Sequence, residues 1–102
     1  MARPILLAAG LLLGCTPAIA DETMDYGKYL SGQCTTCHQI DGEYVEGIPP
    51  INGLDPESFI MSMNMFKTGE RDNPAMVSVA KGLDDEQLKA LAAYFGSLEP
   101  AD

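Results

Sequence analysis

Residues 34–38 read Cys34-Thr35-Thr36-Cys37-His38. Two thiols three positions apart lie on one face of a helical turn, and an imidazole follows directly. This spacing lets two sulfurs reach the two vinyl groups on one edge of a haem as thioethers, and it places the imidazole beneath the iron. Cys-x-x-Cys-His is the attachment pattern of c-type haem. Three other chemistries use paired cysteines. A thioredoxin-like redox pair belongs to a βαβ setting, and no strand alternation is visible here. A zinc site needs more soft ligands than 1 His and a single close Cys pair provide. A structural disulfide gives the adjoining His38 no role.

Working outward, four helical stretches are predicted. The first covers about residues 23–36, with Thr23 as N-cap and Asp25 in the first turn, where a carboxylate suits the helix dipole. Gly27 within it costs about 1 kcal/mol against alanine, which points to close backbone packing rather than a break. The second covers about residues 55–67, entered through Asp55-Pro56-Glu57 and followed by Gly69. A short third enters at Asn73-Pro74 and leaves at Lys81-Gly82. The fourth covers about residues 84–98. Asp84 and Gln87 make a capping box there, and Leu88, Leu91, Ala92, Phe95 and Leu98 form an amphipathic stripe. Residues 41–53, rich in Gly and Pro, form a long ordered loop. The fold class is all-α, one small domain wrapped around one covalent haem, because a chain of 102 residues gains from a cofactor that supplies part of its core.

The N-terminus is an address. Arg3 precedes an apolar run at residues 5–14, and Ala18-Ile19-Ala20 is a small-x-small cleavage signal. Residues 1–20 are therefore read as a secretory signal peptide and residues 21–102 as the functional domain. The apolar run is too short to span a bilayer. Leu12-Leu13-Gly14-Cys15 also fits a lipoprotein box, in which Cys15 carries a lipid anchor, and both readings export the chain. The whole chain has 6 basic and 15 acidic residues and a net charge of −9. That charge excludes nucleic acid as a partner, since phosphate binding needs a basic footprint. Glu43, Glu46, Asp84, Asp85 and Glu86 suit a redox partner with a basic patch.

With 1 His in the chain, the second axial ligand comes from elsewhere, and His/Met ligation is common where haem carries electrons. Met61, Met63 and Met65 sit inside the second helix, where methionine usually fills core. Met76 follows a loop into a short helix, and position favours it. The residues Gly27 with Leu30, the motif 34–38, the loop 47–53, the segment Phe66-Lys67-Thr68-Gly69-Glu70-Arg71 with Met76, and the ending Leu91-Ala92-Ala93-Tyr94-Phe95 resemble class I cytochromes c. They are most similar to the cytochrome subunit of flavocytochrome c sulfide dehydrogenases.

The resemblance implies Met76 as distal ligand. It implies the Pro49 carbonyl as acceptor of the His38 ring hydrogen bond and Arg71 beside a haem propionate. It also implies Gly27 as the point where the first helix crosses the last, against Tyr94 or Phe95. Those subunits are often di-haem, whereas this chain holds one. The expected function is periplasmic one-electron transfer through haem c iron, by an electron carrier rather than an enzyme in itself. The donor is an FAD-containing sulfide dehydrogenase subunit or, alternatively, the chain is a free shuttle to an oxidase or reductase. A reading of another class is a haem gas sensor or peroxidase-like enzyme with an open sixth position, which requires that Met76 not bind the iron.

Overall fold

Helix signals in the sequence become five helices in the computed structural model, which describes residues 16–39 and 45–100. In chain order they are α1 (Thr16–Leu30), α2 (Gly32–Thr35), α3 (Pro56–Thr68), α4 (Pro74–Lys81) and α5 (Asp85–Gly96). The architecture is all-α, and among the described residues the only β pairing is an isolated bridge between Val45 and Ile48. The apolar leader at 5–14, Cys15 and residues 41–44 with Glu43 lie outside the described residues.

The first predicted helix needs correction at its start and near its end. Thr23 is not a cap, because α1 begins at Thr16 and already includes it. Proline is tolerated in a first helical turn, and Ala18, Ile19 and Ala20 propagate helix, so nothing interrupts the chain between Pro17 and Asp21. Near the other end, α1 gives way to α2 at Ser31, whose hydroxyl donates to the Lys28 carbonyl at 2.7 Å. A hydroxyl that bonds back to its own helix commonly loosens or bends it.

The other three helices start where their caps predict. Asp55 accepts from the Ser58 amide at 3.1 Å, with Pro56 in the first turn of α3 and Gly69 as C-cap. Asn73 caps α4, again with proline in the first turn. Asp84 and Gln87 exchange hydrogen bonds of 2.8 and 2.9 Å in a complete capping box at α5. Replacing Asp84 by alanine is expected to lower the unfolding free energy of the haem-loaded protein by about 1 kcal/mol, seen as a lower urea midpoint with an unchanged slope.

The core lies where α3 and α5 face each other. Phe59, Met63 and Phe66 of α3 pack with Leu88, Leu91, Ala92 and Phe95 of α5, joined by Ala80 and Leu83. Phe59 and Phe95 stack at 5.9 Å between ring centroids. Leu98, the last member of the predicted stripe, is half-buried against this cluster. Helix α1 packs across α5, and the crossing point is Gly27. A Cβ there would collide with the Ala90 carbonyl oxygen and lie 2.7 Å from Tyr94 Cβ. The predicted contact with Tyr94 is present, and alanine's better helix propensity is forgone for it.

Candidate haem-binding site

The motif 34–38 occupies one tight turn. The Ser31 carbonyl accepts from the amides of Cys34 at 2.8 Å and Thr35 at 3.0 Å. The Cys34 carbonyl in turn accepts from Cys37 at 3.1 Å and from His38 at 2.8 Å. Both sulfurs and the imidazole therefore project from the same short piece of backbone. Cys34 is half-buried against the core and Cys37 is exposed. Burial pushes the Cys34 thiol up to about 11. A thiol raised in this way is the opposite of the lowered thiol that drives a redox Cys-x-x-Cys pair.

His38 is brought to Pro49. Its Nδ1 lies 2.7 Å from the Pro49 carbonyl oxygen. A carbonyl can only accept, so Nδ1 carries the hydrogen, and in the neutral ring this leaves the lone pair on Nε2, the tautomer a metal-binding imidazole needs. The Pro49 carbonyl is itself fixed from both sides. Before it, a turn closes through the Ile48 amide donating to Val45 O at 2.8 Å. After it, the Gly53 amide donates to the Phe95 carbonyl at 2.8 Å, tying the loop to the end of α5. Gly53 has φ +77°, and a Cβ there would lie 2.8 Å from Pro100 Cγ, so only glycine fits the tether.

Met76 is the third residue of α4, half-buried and packed against the core cluster. The other candidate methionines are differently placed. Met63 is a core residue at 5% exposure, Met61 is 63% exposed, and Met65 is intermediate on α3. Arg71 stands with its guanidinium 4.5 Å from the centre of the Phe66 ring, a cation–π contact that its sequence position did not signal. Glu46, Asp84, Asp85 and Glu86 are all exposed.

Among the described residues no group of three or more His, Cys, Asp or Glu is arranged to hold a bare metal ion. The donor set instead offers two thiols on one turn, one imidazole in the correct tautomer, and thioether sulfur on a separate helix. Around the core, Leu30, Ile51, Val77 and Leu98 add half-buried apolar surface of the kind a porphyrin packs on. The residues fit a c-type haem.

Comparison with known proteins gives the same answer for the chain as a whole. The family described as Cytochrome c matches residues 24–99. This chain belongs to the cytochrome c family. Its cofactor is therefore haem c with its iron, and it is a mono-haem electron carrier. Among similar proteins, the cytochrome subunit of sulfide dehydrogenase from Chlorobaculum tepidum is 37% identical, spanning 95% of this chain and 93% of the relative. Cytochrome c-553 of Helicobacter pylori (strain 26695) is 32% identical, spanning 95% of this chain and 99% of the relative. A thiosulfate dehydrogenase electron acceptor from Stutzerimonas stutzeri is 30% identical over 97% of this chain, which spans only 49% of that longer protein. No helix among the described residues is long and apolar enough to cross a membrane.

Proposed function

We propose that this chain is an exported, His/Met-ligated electron carrier that works as the haem subunit of a flavoprotein sulfide dehydrogenase. In this reading Cys34 and Cys37 would hold the haem as thioethers, and His38 and Met76 would ligate its iron. The observation that carries it is the 2.7 Å contact from His38 Nδ1 to the Pro49 carbonyl, which leaves Nε2 as the donor atom. The bound haem supplies reversible one-electron chemistry at its iron. With His38 and Met76 both serving as ligands, the iron would offer no open position to a substrate. Pro49 holds the imidazole tautomer and orientation, which raises the basicity of the ligand. The apolar fringe excludes water and, with the thioether, favours the reduced state.

The cytochrome subunit of sulfide dehydrogenase from Chlorobaculum tepidum, at 37% identity, supports a sulfide dehydrogenase as the electron donor, and the flavocytochrome resemblance implies that its partner subunit carries FAD. The exposed Glu46, Asp84, Asp85 and Glu86 suit a partner that presents basic side chains, and they speed encounter more than they strengthen the complex. A second reading is a free shuttle to an oxidase or reductase, and similarity over 99% of cytochrome c-553 of Helicobacter pylori, whose name mentions no dehydrogenase, is compatible with it. Export places the carrier in the periplasm, cut after Ala20 or lipidated at Cys15.

Gentle purification from the native cell tests this. The expected result is co-elution with a yellow subunit, haem reduction on adding sulfide, and an intact mass for residues 21–102 plus one haem. A cytochrome that elutes alone and is not reduced by sulfide in the extract is a shuttle. A mass beginning at lipidated Cys15 places it on the membrane surface.

A further inference from the structure

The first turn of α4 carries Met76, which with Val77 packs half-buried against the core, while the helix is fully buried only at Ala80, near its other end. What holds the backbone at the start of this turn is Asn73. Its backbone is extended, with φ −138° and ψ 111°, which brings the side chain back over the helix start. There Asn73 Oδ1 accepts the amide hydrogen of Met76 itself at 3.0 Å, and the Asn73 carbonyl accepts from Val77 at 2.8 Å. Pro74 has no amide hydrogen to satisfy, so the cap serves the residue that bears the thioether. Upstream, the Arg71 amide donates to the Met65 carbonyl at 3.1 Å, and the Arg71 guanidinium lies over Phe66. The chain entering the cap is thereby moored to the end of α3.

We propose that Asn73 is a positioning residue for Met76. By holding the Met76 amide it fixes the register of the thioether and sets how often that sulfur leaves the iron. This rests on the reading of Met76 as axial ligand. An N-cap is worth about 1 kcal/mol, a factor of about five in a local equilibrium. A ligand that binds only when the sulfur has left sees its apparent affinity scale with that open fraction.

Imidazole titration of the oxidised, haem-loaded protein measures the open fraction. Asn73→Ala is expected to bind imidazole about fivefold more tightly than the natural chain. Asn73→Asp, which caps equally well, is expected to match the natural chain. Asp84→Ala, which removes the cap of α5, is expected to lose stability with no change in imidazole affinity. The proposal is overturned if Asn73→Ala keeps the natural affinity while its urea midpoint falls, or if Asn73→Asp fails to restore that affinity. Met76→Ala, titrated alongside, separates the two claims. If it gains affinity while Asn73→Ala does not, the positioning role alone fails. If Met76→Ala gains none, the axial reading fails and takes the positioning role with it.

Discussion

Met76→Ala is expected to abolish the weak red absorption band of the oxidised protein and to let carbon monoxide bind the reduced one. The thioether is soft and weakly basic, so it stabilises the ferrous state. Its loss lowers the midpoint potential by on the order of 100 mV, a modest share of the ~0.8 V range that axial ligands command. Met61→Ala is expected to change none of these properties, since Met61 is 63% exposed. Met63→Ala is expected to cost about 2–5 kcal/mol of stability as a core truncation, and to keep the red band. The sensor or peroxidase reading predicts the reverse pattern, in which the natural chain already binds carbon monoxide and Met76→Ala changes little. Absorption spectra of the variants, oxidised and then reduced under carbon monoxide, decide between them.

Gly27→Ala is expected to destabilise the haem-loaded protein by about 2 kcal/mol, although helix propensity alone favours alanine by about 1 kcal/mol. The added methyl would meet the Ala90 carbonyl oxygen and Tyr94 Cβ. Neither is the free end of a flexible side chain. Helix α5 cannot back away, because Leu88, Leu91, Ala92 and Phe95 hold its other side against α3. Overpacking of this kind costs about 1–3 kcal/mol, and backbone against backbone belongs at the upper end. Urea denaturation measures the difference. A Gly27→Ala protein as stable as the natural chain would mean that α1 and α5 have room to separate.

Most of this molecule is legible where the chemistry is local. Caps are the clearest case, since Asp55, Asn73 and Asp84 each accept from an amide three residues ahead, and each marks a true helix start. The haem motif is local too, and its turn is closed by bonds within five residues. The α5 stripe was readable because one helix face meets one core.

What escaped depends on distant partners or on competing local bonds. The start of α1 was misplaced because Thr23 has a capping residue's chemistry, yet lies in a stretch that contains no helix breaker ahead of it. The break at Ser31 comes from a hydroxyl bonding back to Lys28, which any serine in a helix can do and few are seen to do from sequence. The tether from Gly53 to Phe95 joins residues far apart in the chain. So does the contact between His38 and Pro49, which entered only through family resemblance. Arg71 was assigned to a haem propionate on the same basis, and its position over Phe66 follows from how the chain turns after Gly69.

If His38 and Met76 close the iron as proposed, this cytochrome carries electrons without binding substrate. The visible spectrum of the oxidised, unmodified protein tests it most directly. The weak red band of thioether-to-iron ligation is expected at neutral pH. A spectrum without that band, in a protein whose reduced form then takes up carbon monoxide, would contradict it.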